Sequence, residues 1–251
     1  MSYRWGMIWS DMHEPYADRR AIDLLYRFAD DAKPNFHVNI GDLMNCAAMS
    51  RHNKAKQKVK VYNPIEQDFE AADTYWKMLE QINPKADKYY LEGNHEFWLS
   101  QYSEENPEVG SDYDIAKRLN LKKRGIHFYP YEKQRVKPLK LGKLDLVHGW
   151  YCNKHHTGKT SEETTRNIIY GHTHDVQEST KKGLITGRHT AISIGHLTDE
   201  RSRAMGYLRT PTNWMKAFAI VQFDTDSGHF DIEVKRIPDY KFFWSGKLWK
   251  N

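Results

Sequence analysis

The sequence predicts an α/β sandwich with helices outside packed sheets. Three observations predict it. The first half alternates short apolar runs with stretches of helical periodicity. The second half is rich in strand-like runs broken by turn signals. Five of the apolar runs end at a carboxylate, an amide or an imidazole, and the carboxyl ends of strands are where open α/β sheets bind ligands.

The elements follow in order. Residues 3–10 (YRWGMIWS) read as a buried strand that stops at Asp11. Residues 17–31 place Ile22, Leu24, Leu25, Phe28 and Ala29 at helical spacing, and Pro34 ends that helix. Residues 36–40 (FHVNI) form a second strand running into Gly41-Asp42. The basic stretch 51–60 (RHNKAKQKVK) reads as a loop or short helix, and 65–82 as a helix between Pro64 and Pro84. Residues 87–92 (DKYYLE) are a third strand, leading into Gly93-Asn94-His95-Glu96. A helix is expected near 111–121, with strands at 126–131, 143–148 and 167–171. From 184 to 236 apolar runs alternate with turns such as Asp226-Ser227-Gly228, a hairpin pattern.

The polar residues at the strand ends form an ordered set: Asp11 and His13, Asp42, Asn94 and His95, His148, then His172 and His174. In extended chain, residues i and i+2 point the same way, so Asp11/His13 and His172/His174 could each grip one ion. Gly41, Gly93 and Gly171 precede the ligands, where glycine permits tight turns or close backbone approach. A lone D-x-H or GD means little. The whole series D-x-H, GD, GNHE, H, GHTH, each after an apolar run, is specific.

On these residues the chain resembles the calcineurin-like metallophosphoesterases, over about residues 8 to 174. The resemblance implies a four-layer α/β/β/α sandwich with two divalent metal ions at the strand ends. One ion would take Asp11, His13, Asp42 and His174; the other Asp42, Asn94, His148 and His172, with Asp42 bridging. His172 and His174 would then serve different ions. His95 would be the catalytic acid, and a hydroxide between the ions would attack phosphorus. "LVHG" after a strand favours His148 over its competitors His127, His155 and His156. The mixed carboxylate, amide and imidazole set suits Mn²⁺, Fe or Zn²⁺ without distinguishing them. Mn²⁺ is the expected ion, with Fe, Zn²⁺ and Ni²⁺ as alternatives. The residue three after the GD aspartate often orients the catalytic histidine in this family. Here it is Asn45, whose amide oxygen could accept from the His95 ring.

The chain departs from the protein-phosphatase branch, which carries Asp-Arg-Gly after GD where this one reads GDLMNCAAMSRHN. Arg51 or His52 could grip phosphate instead, and His155 in KHHTGKT could line the pocket; solvated loops are the alternative. That Gly-Lys-Thr lacks the first glycine of a P-loop, so an NTPase is rejected.

Composition sets the outer bounds. The 251 residues, 39% hydrophobic and 13% aromatic, can build one core, so a single domain 1–251 is expected, with the aromatic tail 238–251 packing on it. No apolar run approaches the ~20 residues of a membrane span. Cys46 and Cys152 make no disulfide framework, which points to a reducing, cytoplasmic setting. A net charge of +5 permits an anionic partner. The expected substrate is a phosphodiester or a nucleic-acid or nucleotide phosphate, with nucleic acid held through the basic 51–60 loop. A phosphomonoesterase is the alternative and a non-enzymatic scaffold the last choice. Oligomeric state is not legible.

Overall fold

The structure, a computed structural model, describes residues 2–50, 64–202, 205 and 212–251. The fold is mixed α/β, built on two principal sheets. The first has strand order β11-β10-β1-β2-β3-β4. Its strands are β1 (Tyr3–Trp9), β2 (Phe36–Asn39), β3 (Asp87–Leu91), β4 (Ile126–Tyr129), β10 (Ala217–Asp224) and β11 (Phe230–Arg236). β1 to β4 run parallel, and β10 and β11 complete the sheet antiparallel. The second sheet, in order β5-β6-β7-β9-β8, contains β5 (Leu139–Leu141), β6 (Leu144–Leu146), β7 (Asn167–Tyr170), β8 (Val176–Gly183) and β9 (Gly187–Ile194). β6, β7 and β9 are parallel, so their carboxyl ends share one edge.

Strand alternation sorts the core. Met7 and Trp9 of β1 pack toward the helices, while Ile8 between them joins the cluster shared by the two sheets. That cluster sets Val38, Ile40 and Leu91 against Leu139, Leu144, Leu146, Ile169 and Ile194. On the helical side lie α1 (Arg19–Ala32) and α2 (Ile65–Ile82). α1 buries Ala21, Ile22, Leu24, Leu25, Phe28 and Ala29, the stripe its spacing predicts. Asp18 caps it by accepting from the N–H groups of Arg20 and Ala21, which is why it starts at Arg19 and not at 17. On the outer face of the second sheet, Val147, Ile168, Tyr170 and Ala191 form a further cluster, and α5 (His156–Thr164) packs over β8 and β9.

The tail forms the hairpin β12 (Lys241–Trp244) and β13 (Lys247–Lys250). Phe242, Trp244 and Trp249 each place a ring centroid 5.1 Å from that of Phe28. Phe28→Ala would open this aromatic cluster at a cost of about 3–5 kcal/mol.

Several elements differ from the sequence reading. Helix α3 (Asn94–Glu105) starts on the GNHE motif, because the Glu96 carboxylate reaches back to the Gly93 N–H and caps it. The helix expected at 111–121 shrinks to one turn, α4 (Ile115–Arg118). α5 has no apolar stripe: it buries His156, Thr157, Thr160 and Ser161, so periodicity could not show it. Its sequence contains Gly158-Lys159-Thr160, which is therefore helical. β8, an edge strand reading VQESTKKG, carries no hydrophobic alternation. The basic stretch 51–60, with Arg51, His52, Lys54, Lys56, Lys58 and Lys60, lies outside the described residues. Among the described residues no helix is long and apolar enough to cross a membrane.

Candidate metal centre

The loops after β1 and β2 run side by side. The Asp11 N–H donates to the Gly41 carbonyl (3.1 Å) and the His13 N–H to that of Asp42 (2.9 Å). α3 begins at Asn94 next to Asp42; His148 follows β6; His172 and His174 follow β7. Asp11, His13, Asp42 and His148 are almost fully buried, and His174 nearly so.

The sequence reading relied on extended i, i+2 geometry for the two pairs. The structure differs. Asp11, His13, Asp42, His172 and His174 all have positive φ, between 49° and 69°. These are left-handed backbone conformations that non-glycine residues adopt rarely, and they concentrate at functional sites. Tight turns aim these side chains inward.

Glycines let the backbone close on both carboxylates. A Cβ at Gly93 would fall 2.1 Å from Asp42 Oδ1, and one at Gly171 would fall 2.3 Å from Asp11 Oδ2. The adjoining N–H groups reach the same oxygens: His95 N–H donates to Asp42 Oδ1 and His172 N–H to Asp11 Oδ2, each at 2.9 Å. Ser10 Oγ also donates to Asp11 Oδ2. One oxygen of each carboxylate is thus tied to the fold, and the other faces imidazoles. Asp11 Oδ1 lies 3.2 Å from His174 Nε2 and 3.9 Å from His13 Nε2. Asp42 Oδ2 lies 3.4 Å from His148 Nε2 and 3.9 Å from Nε2 of both His13 and His95.

Among the described residues, three groups of side chains converge closely enough to hold a cation: Asp11, His13 and His174; His13, Asp42 and His95; Asp42, His148 and His172. Asn94 joins the last through its Oδ1, 3.0 Å from His148 Nε2. His172 and His174 stand in different groups. The donor set fits divalent cations. Asp11 Oδ1 is buried without a hydrogen-bond partner, and the Nε2 atoms of His13 and His174 stand only 3.1 Å apart. A cation would satisfy both arrangements, whereas an unpaired buried carboxylate oxygen is costly. His148 donates from Nδ1 to the Ile40 carbonyl (2.9 Å), which leaves the Nε2 lone pair facing Asp42 and Asn94.

Electrostatics supports the same picture. Burial raises the Asp11 and Asp42 carboxyls, but the imidazoles beside them, His174 for Asp11 and His148 for Asp42, hold both below the usual carboxylate range. Burial and His95 push His13 well down, and burial and His148 push His172 down to about 4. Neutral imidazoles are what a metal needs. Burial opposes charge on His148, yet Asp42 outweighs it and lifts His148 to about 9, so without a cation its Nε2 carries a proton that a metal would have to displace.

The other candidate residues separate clearly. His95 Nδ1 bonds the main-chain carbonyl of Asn45 at 2.6 Å; the Asn45 amide does not accept from it, and its buried Nδ2 has no partner. This corrects the expectation for the Asn45 side chain. His155 is exposed at the head of α5 and joins none of the three groups. His156 bonds Tyr170 and Asp175, and His127 stacks on Tyr89. Of the four histidines weighed for that position, His148 is the one in a cation group. Arg51 and His52 lie outside the described residues.

The sequence reading missed several supporting residues. Glu96 is fully buried and accepts from the N–H groups of Asp42 (3.0 Å), Met44 (2.7 Å) and Gly93 (2.9 Å) and from the Tyr90 hydroxyl (3.0 Å). Its signal was the last letter of GNHE. Gln134 Oε1 accepts from the His148 N–H at 2.8 Å, and the His196 ring stacks on that of His174 at 5.2 Å. Neither had a motif to mark it.

No protein-family model matches the chain. It is 25% identical to the gene 54 protein of Mycobacterium phage L5 and 24% identical to that of Mycobacterium phage D29, in both cases over 96% of each chain. Among solved structures, Vps29 with zinc from Entamoeba histolytica matches at a TM-score of 0.45 and 12% identity, covering 97% of this chain and 95% of that one. A dimetal phosphatase from Danio rerio matches at 0.45 and 15%, covering 93% and 96%. YfcE, a phosphoesterase from E. coli, matches at 0.41 and 14%, covering 91% and 98%.

Proposed function

We propose that the chain is a dinuclear-metal phosphoester hydrolase of the calcineurin-like metallophosphoesterase type. The observation that carries the reading is the position of Asp42 Oδ2, facing imidazoles of two cation groups at once. One divalent ion would be held by Asp11, His13, Asp42 and His174, the other by Asp42, Asn94, His148 and His172. The mixed imidazole, carboxylate and amide set admits Fe, Zn²⁺ and Ni²⁺ as well as Mn²⁺, the ion proposed first. When bound, such a pair supplies an activated water and stabilises negative charge on a phosphoryl group.

The chain's own residues do the rest. Tied oxygens on Asp11 and Asp42 fix where the free ones point. His95 is the proton donor: its Nδ1 is anchored on Asn45 and its Nε2 gives a proton to the departing oxygen. The three core clusters support an α/β/β/α layering in one domain, 1–251, with the tail packed on it. The free thiols Cys46 and Cys152 support a reducing, cytoplasmic setting.

The substrate reading is a phosphodiester or a nucleic-acid or nucleotide phosphate. It rests on the sequence, through the missing Asp-Arg-Gly and the basic 51–60 stretch. The test compares bis-nitrophenyl phosphate with nitrophenyl phosphate under Mn²⁺, with a chelator control. Faster diester cleavage supports the reading, and faster monoester cleavage makes the chain a phosphomonoesterase. No chelator-sensitive hydrolysis of either ester would leave a metal-binding scaffold.

A further inference from the structure

We propose that Trp98 is a positioning residue for His95, an inference that rests on the reading of His95 as proton donor. The two residues are three apart at the start of α3 and therefore share a helix face. Their ring centroids are 4.1 Å apart with planes inclined by 32°. Trp98 is half-buried and packs against the helix-side core, so it is itself held from behind. The His13 ring meets His95 edge-on at 4.5 Å, and the Asn45 carbonyl takes Nδ1. These contacts leave Nε2 as the free end of the ring, 3.9 Å from Asp42 Oδ2.

Of these restraints, Trp98 is the one that makes no hydrogen bond to the ring and belongs to no cation group. Its neighbour Leu99 is fully buried in that core, whereas Trp98 is only partly buried beside it. What it covers is the imidazole. The step it serves is a proton transfer. The bond from phosphorus to the leaving oxygen breaks and its electron pair stays on that oxygen. The oxygen takes the Nε2 proton. Water oxygen bonds to phosphorus and releases its proton to solvent, and His95 regains a proton from solvent. A donor displaced by about 1 Å can lose on the order of 10²-fold in rate.

The experiment uses Mn²⁺-loaded protein and two phosphodiesters, one with an alkyl and one with a nitrophenyl leaving group. The variants are Trp98→Leu, which keeps apolar volume, Trp98→Phe, which keeps a ring face, His95→Ala, and His95→Ala with Trp98→Leu. Trp98→Leu is expected to lower kcat on the alkyl ester about tenfold or more, with KM unchanged and little loss on the nitrophenyl ester. Trp98→Phe should recover most of it, and in the His95→Ala background Trp98→Leu should cost nothing further. In metal-free protein, ¹H–¹⁵N spectra of the imidazole rings should show the His95 signals shifted and broadened in Trp98→Leu, with His127 and His156, which pack against other partners, unmoved. Equal losses on both esters, an effect additive to His95→Ala, or unmoved His95 signals overturns the inference. If His95→Ala itself costs the same on both esters, the reading of His95 fails and the inference with it. Selective loss in His95→Ala but not in Trp98→Leu rejects Trp98 alone.

Discussion

The imidazole of His95 is held by a carbonyl that any residue at position 45 would supply. Its Nδ1 lies 2.6 Å from the Asn45 main-chain oxygen. Asn45→Ala should therefore keep near wild-type activity on a poor leaving group. His95→Ala should lose on the order of 10²–10⁴ there and far less on a nitrophenyl ester. If Asn45→Ala falls as far as His95→Ala, the side chain and not the carbonyl orients the ring.

Glu96 holds three main-chain N–H groups around Asp42. Glu96→Ala would leave them buried without an acceptor, at about 1–3 kcal/mol for each lost partner. A clear drop in the thermal unfolding midpoint of metal-free protein is the expected outcome. An unchanged midpoint would show that water replaces the carboxylate without loss.

Asp68 sets a pH dependence away from the cation groups. Burial pushes its carboxyl up to about 7, against the Cys46 N–H that donates to it at 2.5 Å. Since the folded value lies above the unfolded one, its contribution to stability is complete below about pH 4 and is lost as pH rises to about 7. Asp68→Asn keeps an acceptor oxygen but cannot ionise. Urea unfolding should show the variant gaining on wild type across that window, by up to about 1.4 kcal/mol per pH unit. A constant difference from pH 4 to pH 8 would contradict this.

Gly171 has no room for a side chain. A Cβ there would meet Ser10 Oγ at 1.9 Å and Asp11 Oδ2 at 2.3 Å. Ser10 can rotate away, but Asp11 cannot without leaving the His172 N–H. Gly171→Ala should disturb the Asp11 group first and, through the lost His172 N–H bond, the His172 ligand as well, so elemental analysis should find fewer than two ions per chain. Retention of two ions would show that the loop yields instead.

The parallel strands and the ligands at their ends were legible because two-sided burial gives uninterrupted apolar runs, and a charged residue after such a run stands out. α1 was legible for its stripe and for Pro34, and α2 for its helical look between Pro64 and Pro84. α5 and β8 were not, because they pack through polar faces: His156 is buried by bonding Tyr170 and Asp175, a partnership that sequence cannot announce. The positive φ angles at Asp11, His13, Asp42, His172 and His174 were equally hidden. Their side chains converge through turns whose shape is set by bonds to other loops. Main-chain acceptors such as the Asn45 carbonyl leave no residue signature at all.

The shared carboxylate of Asp42 is the centre of the account, and metal content tests it most directly. Wild-type protein purified with Mn²⁺ and freed of loosely bound metal should hold two ions per chain by elemental analysis. Asp42→Ala should hold neither, because it removes a ligand from both groups and leaves two cations repelling at close range. His13→Ala should weaken mainly one. Protein that hydrolyses phosphate esters with one ion or none, or an Asp42→Ala variant that retains both, would contradict the account.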